Sequence, residues 1–264
     1  MILGMPLYSQ VKVNILFLLV LVSIFTFSTA LFIKGESRSP YNAILIRIEG
    51  VIGTIDAPTE EYVKQALALA EDRGAPLIVV INSYGGYVDP TINIANMILE
   101  ARTPVIGFVM DRAFSAASIL VQPMHIVASV PYGVIGAAQP ITVNPVTGQY
   151  EFVNESKIIN SVVAMAVRYA EIRGRNASAV EMFIRKNLVL SGEEAVKSKV
   201  VDLVANNLDE LISSINGRTV TLTYSGVKRN ATISIHSYEE FSPSLYIQVY
   251  AYLRDSTINS VLWF

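Results

Sequence analysis

From residue 43 onward the chain alternates apolar runs of strand length with stretches of helical period, and nothing else in it restricts the fold as much. Ala43–Ile48, 76–81, 104–109 and 125–130 are the apolar runs. Between the first two, 58–73 carries Tyr62, Ala66, Leu69 and Ala70 at helical spacing and stops at Gly74. A helix over 90–101 and a short helix after Phe114 continue the pattern. Such alternation predicts an α/β fold, a parallel sheet covered by helices, with any site in the loops at the carboxyl ends of the strands. Residues 133–150 follow, rich in Gly, Pro and Thr, and then helices over 156–173, ended by Gly174, and 178–186. Ser191 and Glu194 stand in capping-box register for one more. Beyond Ala205 the texture changes to a helix, β-prone stretches at 218–224 and 231–236, and an amphipathic tail. The expected organisation is a membrane anchor or signal segment over 1–34, a linker over 35–41, the α/β domain over 42–205 and a small α+β appendage over 206–264.

The anchor is expected because 13–33 holds 21 uncharged residues between Lys12 and Lys34. As a helix this run is about 31 Å long, the thickness of a bilayer's hydrocarbon core. Ser28-Thr29-Ala30 could also serve as a signal-peptide cleavage site. The run exceeds the roughly 7–15 residues of an ordinary signal-peptide core, which favours an uncleaved transmembrane helix. Flanking charges do not set its orientation, since Lys12 lies on one side and Lys34 and Arg38 on the other. The sequons at Asn154, Asn176 and Asn230 are compatible with a domain outside the cytoplasm.

Composition narrows the chemistry. A net charge of −2 provides no basic field for a phosphate backbone, so nucleic acid is not an expected partner. With no cysteine and two histidines, a thiol nucleophile, a disulfide framework and a cysteine zinc site are excluded, and no metal or other cofactor is expected. Any catalysis must come from Ser, Lys, Asp, Glu, Tyr or the backbone.

Three stretches could supply it. Ile81-Asn82-Ser83-Tyr84-Gly85-Gly86 ends an apolar strand, where two glycines let backbone amides approach an incoming oxygen. By itself it is also an ordinary strand-to-helix turn. Phe114-Ser115-Ala116-Ala117-Ser118 opens the short helix after the next strand, and a serine there is either a cap or a nucleophile beside helix-end amides. Lys157, at the start of an apolar helix, is disfavoured by the helix dipole; that field and the neighbouring Ile158 and Ile159 would favour a neutral amine able to act as a base. Alone, it reads more simply as a solvated surface lysine.

Together with the Ile135-Gly136-Ala137 turn, these stretches resemble the ClpP/signal-peptide-peptidase clan of serine proteases, and most closely the archaeal NfeD-type membrane-bound proteases, stomatin operon partners with a Ser-Lys dyad. The likeness runs from about residue 43 to 217 and includes Gly174-Arg175-Asn176-Ala177 and Leu190-Ser191-Gly192-Glu193-Glu194-Ala195. It implies a nucleophile at Ser115, a general base at Lys157, an oxyanion hole from the amides of Gly86 and Ala116, and a ClpP/crotonase-like spiral of ββα units. It further implies an extracytoplasmic catalytic domain and a stomatin-like substrate. The chain departs from the family where Asn82-Ser83-Tyr84 replaces the usual Asp-Thr-Pro, and where Ser115 is followed by Ala-Ala-Ser rather than Ala-Gly and an aromatic. Ser118 is thereby an alternative nucleophile. It would leave barely one helical turn before the strand at His125, whereas Ser115 leaves about two, which favours Ser115. The expected activity is that of a membrane-anchored serine endopeptidase of apolar segments, working as a homo-oligomer in a short form of the family. An inactive peptide-binding scaffold and an acyl-CoA-handling crotonase are the alternatives.

Overall fold

The computed structural model describes residues 42–144 and 148–254. The anchor expected over 13–33 and the linker over 35–41 lie outside the described residues, among which no helix is long and apolar enough to cross a membrane.

The chain begins with β1 (Ala43–Ile48), a 3-10 turn (Gly50–Ile52), β2 (Thr54–Ile55) and α1 (Ala57–Arg73). Next come β3 (Leu77–Ser83), β4 (Gly85–Gly86), α2 (Val88–Leu99), β5 (Val105–Phe114), α3 (Ala116–Leu120), β6 (Ile126–Ser129) and β7 (Val134–Gly136). The hairpin of β8 (Ile141–Val143) and β9 (Tyr150–Phe152) leads to α4 (Ser156–Ile172) and α5 (Ala177–Arg185). β10 (Val189–Ser191), α6 (Gly192–Lys197), β11 (Leu203–Val204) and α7 (Leu208–Ile215) follow, then β12 (Thr219–Tyr224), β13 (Val227–Thr232), β14 (Tyr238–Glu240) and α8 (Leu245–Arg254).

The main sheet has the order β10-β7-β5-β3-β1-β14, with β6 also paired to β5 and β11 to β6. Every pairing in it is parallel except β10 with β7. Its strands are apolar on both sides because both faces are covered. The period of two sorts them: Ile44, Ile46, Ile48, Leu77, Val79 and Ile81 enter the core under α1, α2, α4 and α5. Ala43, Leu45, Ile78, Val80, Ile106 and Phe108 enter the opposite core with Leu211 and Ile215 of α7. A one-residue slip of β3 would exchange the two sets, so register is tightly specified.

Local signals set the helix ends. Asp56 caps α1 by accepting the Thr59 N–H at 3.3 Å, and Gly74 closes that helix in the left-handed conformation at φ 61°. Ser191 and Glu194 form the expected capping box. Residues 206–254 are woven into the same compact unit as the preceding segments. β14 extends the main sheet beside β1, and Ile247 of α8 joins the larger core. The β12–β13 hairpin is a two-stranded sheet of its own.

A buried polar cluster ties α3 to the far end of α4. Arg175 donates to the Gln122 and Met124 carbonyls and reaches Asp202 Oδ2 at 2.6 Å, while Arg173 Nε donates to the Pro123 carbonyl at 2.6 Å. His125 Nδ1 accepts the Val105 N–H at 3.1 Å, and Nε2 faces Arg173 at 3.2 Å. Burial, with the two guanidiniums beside it, holds the His125 pKa down to about 3. The unfolded chain binds that proton near pH 6.5, so stability is expected to fall as pH drops from about 6.5 towards 3, by at most about 1.4 kcal/mol per pH unit from this group. Denaturant midpoints at pH 7, 5 and 4 should therefore fall more steeply for wild type than for His125→Gln. Parallel losses would assign the acid sensitivity to other groups.

Candidate active site

β5 runs five residues past its expected end at Val109, and the extension positions the first site residue. Asp111 and Arg112 interrupt the apolar pattern, yet Arg112, Ala113 and Phe114 pair with β7. Ser115 is the single residue between β5 and α3, at φ 51° and ψ −125°. That backbone conformation is costly for any residue with a β-carbon and persists only where the surroundings enforce it. Here the Ser115 N–H donates to the Gly136 carbonyl at 2.9 Å, and the Ser115 carbonyl accepts the Ser118 N–H at 3.0 Å and Oγ at 2.7 Å. A half-buried serine on a strained strand-to-helix turn is the geometry of a nucleophile elbow. Ser118 is wholly buried, lies within the helix and uses its hydroxyl on Ser115.

The glycine loop fits against this turn. Gly85 has φ +108°, and a β-carbon there would stand 2.5 Å from Ser115 Cβ. A β-carbon on Gly86 would stand 2.2 Å from the Ile55 carbonyl oxygen. β4 pairs in parallel with β2, and the Tyr87 N–H donates to Ile55 O at 2.8 Å. Successive amides of a strand point to opposite sides, so the Gly86 N–H points away from β2. The Ala116 N–H belongs to the first position of α3, where no intrahelical acceptor exists. Two amides beside one serine can hold a developing oxyanion. Ser83, buried, braces the loop by donating to Gly53 O at 2.5 Å and accepting the Gly85 N–H at 3.0 Å. Tyr84, in the family's proline position, is exposed, with the Arg112 guanidinium 4.4 Å from its ring centroid.

Gly86, Ser115 and Ala116 open onto one cavity of about 100 Å³. Its other walls are largely apolar: Val88, Thr91 and Ile92 of α2, Ile119 of α3, and Val162, Met165 and Tyr169 of α4. Lys157 stands exposed in the first turn of α4 and is not part of that lining. Five residues turn a helix by about 500°, which sets Lys157 about 140° around the axis from Val162. The structure thus brings Ser115, Gly86 and Ala116 together and leaves Lys157 at the outer end of the helix that forms the cavity wall. Neither histidine lines the cavity, and among the described residues no group of acidic or histidine side chains could hold a metal ion. Ser83 and Gly136 escaped the sequence reading as supports of the serine turn; each stood in a quoted motif, but only the folded contacts reveal its partner.

The family model for the NfeD1b N-terminal domain matches residues 46–224. The chain belongs to that family. It is 29% identical over 224 residues to the membrane-bound protease PH1510 of Pyrococcus horikoshii, covering 83% of this chain and 50% of that one. The chain therefore spans about half the length of this curated relative. A solved structure of the 1510-N membrane-bound stomatin-specific protease, a lysine-to-alanine variant in complex with a substrate peptide, matches with a TM-score of 0.72 at 29% identity. That match covers 82% of this chain and 99% of the other. A serine-to-alanine variant of the same protease matches with a TM-score of 0.70 over 77% of this chain and 99% of the other, also at 29% identity. The mixed α/β fold of this NfeD1b-family chain is the fold of those proteins.

Proposed function

We propose that the chain is a membrane-associated serine endopeptidase with Ser115 as nucleophile, Lys157 as general base and the amides of Gly86 and Ala116 as oxyanion hole. The observation that carries this reading is the strained Ser115 turn, held against the glycine loop at the mouth of an apolar cavity. In the reaction, Lys157 takes the Ser115 hydroxyl proton as Oγ attacks a peptide carbonyl. The two amides receive the negative oxygen, and the leaving amine departs with the proton from the lysine. Water, deprotonated by the same lysine, then releases the acyl group and restores the serine. The relatives support the class: a stomatin-specific protease, solved as serine and lysine variants and with a substrate peptide. A stomatin-like, apolar substrate at the membrane accords with the apolar cavity and with the sequence's anchor-like run, while the outer side rests on the family resemblance alone.

The cavity of about 100 Å³ is lined mostly by apolar side chains. It is well short of the roughly 300–1,000 Å³ of small-molecule pockets, which disfavours acyl-CoA chemistry. The exposed Lys157, outside the cavity lining, favours a second reading, a peptide-binding scaffold without turnover. A fluorophosphonate probe on the full chain, with the labelled residue mapped by mass spectrometry, separates the two. Labelling at Ser115 together with cleavage of apolar peptides is expected. A folded protein that is neither labelled nor cleaves would be the scaffold.

Lys157→Arg is expected to lose cleavage about as severely as Lys157→Ala, by roughly 10²–10⁴-fold, because a guanidinium keeps its proton. Single-turnover acylation rates of the three proteins check it. An arginine variant that acylates at the wild-type rate removes the lysine from the mechanism.

A further inference from the structure

α8 buries only Ile247 and Ala251 and turns a row of apolar side chains outward. Leu245 and Tyr246 are 76% and 72% exposed, and Val249 and Leu253 about half exposed. Steps of three, four and seven residues place these four on one helix face. The only charged residue of α8, Arg254, stands at its end over the Tyr87 ring at 5.8 Å. Tyr87 is itself exposed, and the adjoining Val88 lines the cavity at Ser115. Val51, exposed on the 3-10 turn against which α8 packs, extends the same surface. Through Arg254, the C-terminal end of α8 therefore reaches the residue next to the cavity wall at Ser115.

We propose that this face lies against the lipid surface, with α8 as an in-plane interfacial helix that holds the cleft at the level of the headgroups. The inference rests on the membrane attachment proposed above and not on catalysis. Eight residues, 34–41, separate the apolar run from Asn42, and a chain of that length reaches at most about 29 Å. A domain of about 210 residues is roughly 45 Å across, so a tether this short keeps some face beside the bilayer at all times. An apolar row with tyrosines at 246, 250 and 252 suits that boundary, where rings with one polar end are favoured. The sequence after the helix runs on to Val261-Leu262-Trp263-Phe264, of the same interfacial chemistry. A second copy of the chain suits the face less well. A ten-residue helix is about 15 Å long and presents a few hundred Å² at most, against about 800 Å² per partner in a stable dimer. Tethered contact with lipid needs no such area, since the second binding event is intramolecular.

The chain has no cysteine, so single labels can be placed cleanly. Tyr246→Cys, Val249→Cys and, at the exposed start of β13, Val227→Cys would carry an environment-sensitive fluorophore in the full chain. Vesicles of phosphatidylcholine and phosphatidylglycerol, with and without brominated acyl chains, provide the lipid. Expected are flotation of all three proteins with the vesicles, loss of most of the fluorescence at positions 246 and 249 in brominated lipid, and none at 227. Flotation without quenching at 246 and 249 overturns the inference and leaves the attachment standing. Spin labels at 249 that couple to one another, with the fluorophore at 249 unquenched in brominated lipid, would give the face to a second copy, which also overturns it. Failure to float takes the attachment and the inference down together, while peptide cleavage still reports separately on the catalytic reading.

Discussion

Ser115→Ala is expected to reduce peptide cleavage by about four to six orders of magnitude, while Ser118→Ala retains most of it. The contrast follows from where the two hydroxyls go. Ser115 is half-buried beside the cavity, in a backbone conformation that only the Gly136 carbonyl, the Ser118 amide and hydroxyl, and the close-packed glycine loop enforce. Ser118 Oγ is fully buried and donates to the Ser115 carbonyl at 2.7 Å. Losing that bond should cost about 1 kcal/mol of stability and leave the nucleophile in place. Rates on an apolar peptide, with probe labelling of each variant, decide the matter. A dead Ser118→Ala beside an active Ser115→Ala would transfer the nucleophile one helical turn.

Gly85→Ala should be nearly as damaging, by a different route. Its β-carbon would arrive 2.5 Å from Ser115 Cβ, 2.9 Å from the Phe114 carbonyl and 3.0 Å from the Ala116 nitrogen, so none of the three can stay where it is. The positive φ of 108° adds a backbone cost for any L side chain. Together these should destabilise the fold by about 2–4 kcal/mol and displace the serine from the two amides, lowering acylation by at least about 10²-fold. Gly74→Ala is the control: it also replaces a glycine of positive φ, but no atom lies within 4 Å of the new carbon. It should cost stability of about 1 kcal/mol and leave acylation of the folded protein unchanged. Equal acylation by the folded fraction of both variants would show that contact between the glycine loop and Ser115 is irrelevant to the chemistry.

The period of hydrophobic residues was sufficient to read the α/β class, because a strand buried on both faces must be apolar throughout and a covering helix apolar on one side. Ala43–Ile48 forms as read, and the helix over 156–173 is matched to within a residue. The proposed site residues were also picked from local strings, since Gly-Gly, Ser115 and Lys157 each stand in one. The far half of β5 was not legible: Asp111 and Arg112 look like a loop, and only pairing with β7, twenty residues further on, makes them a strand. Nor did 206–254 announce that β14 would extend the main sheet beside β1, nearly two hundred residues earlier in the chain. Sequence alone determined which segments are strands or helices and which residue types are available for catalysis, because those depend on neighbours a few positions away. Tertiary structure alone decided that Ser115 is strained and backed by Gly85 and Gly136, that Ser118 is spent on holding it, and that Lys157 stands outside the cavity lining. Each of these depends on contacts between segments that the chain brings together only on folding, and no local pattern encodes the side of a helix on which such a partner will lie.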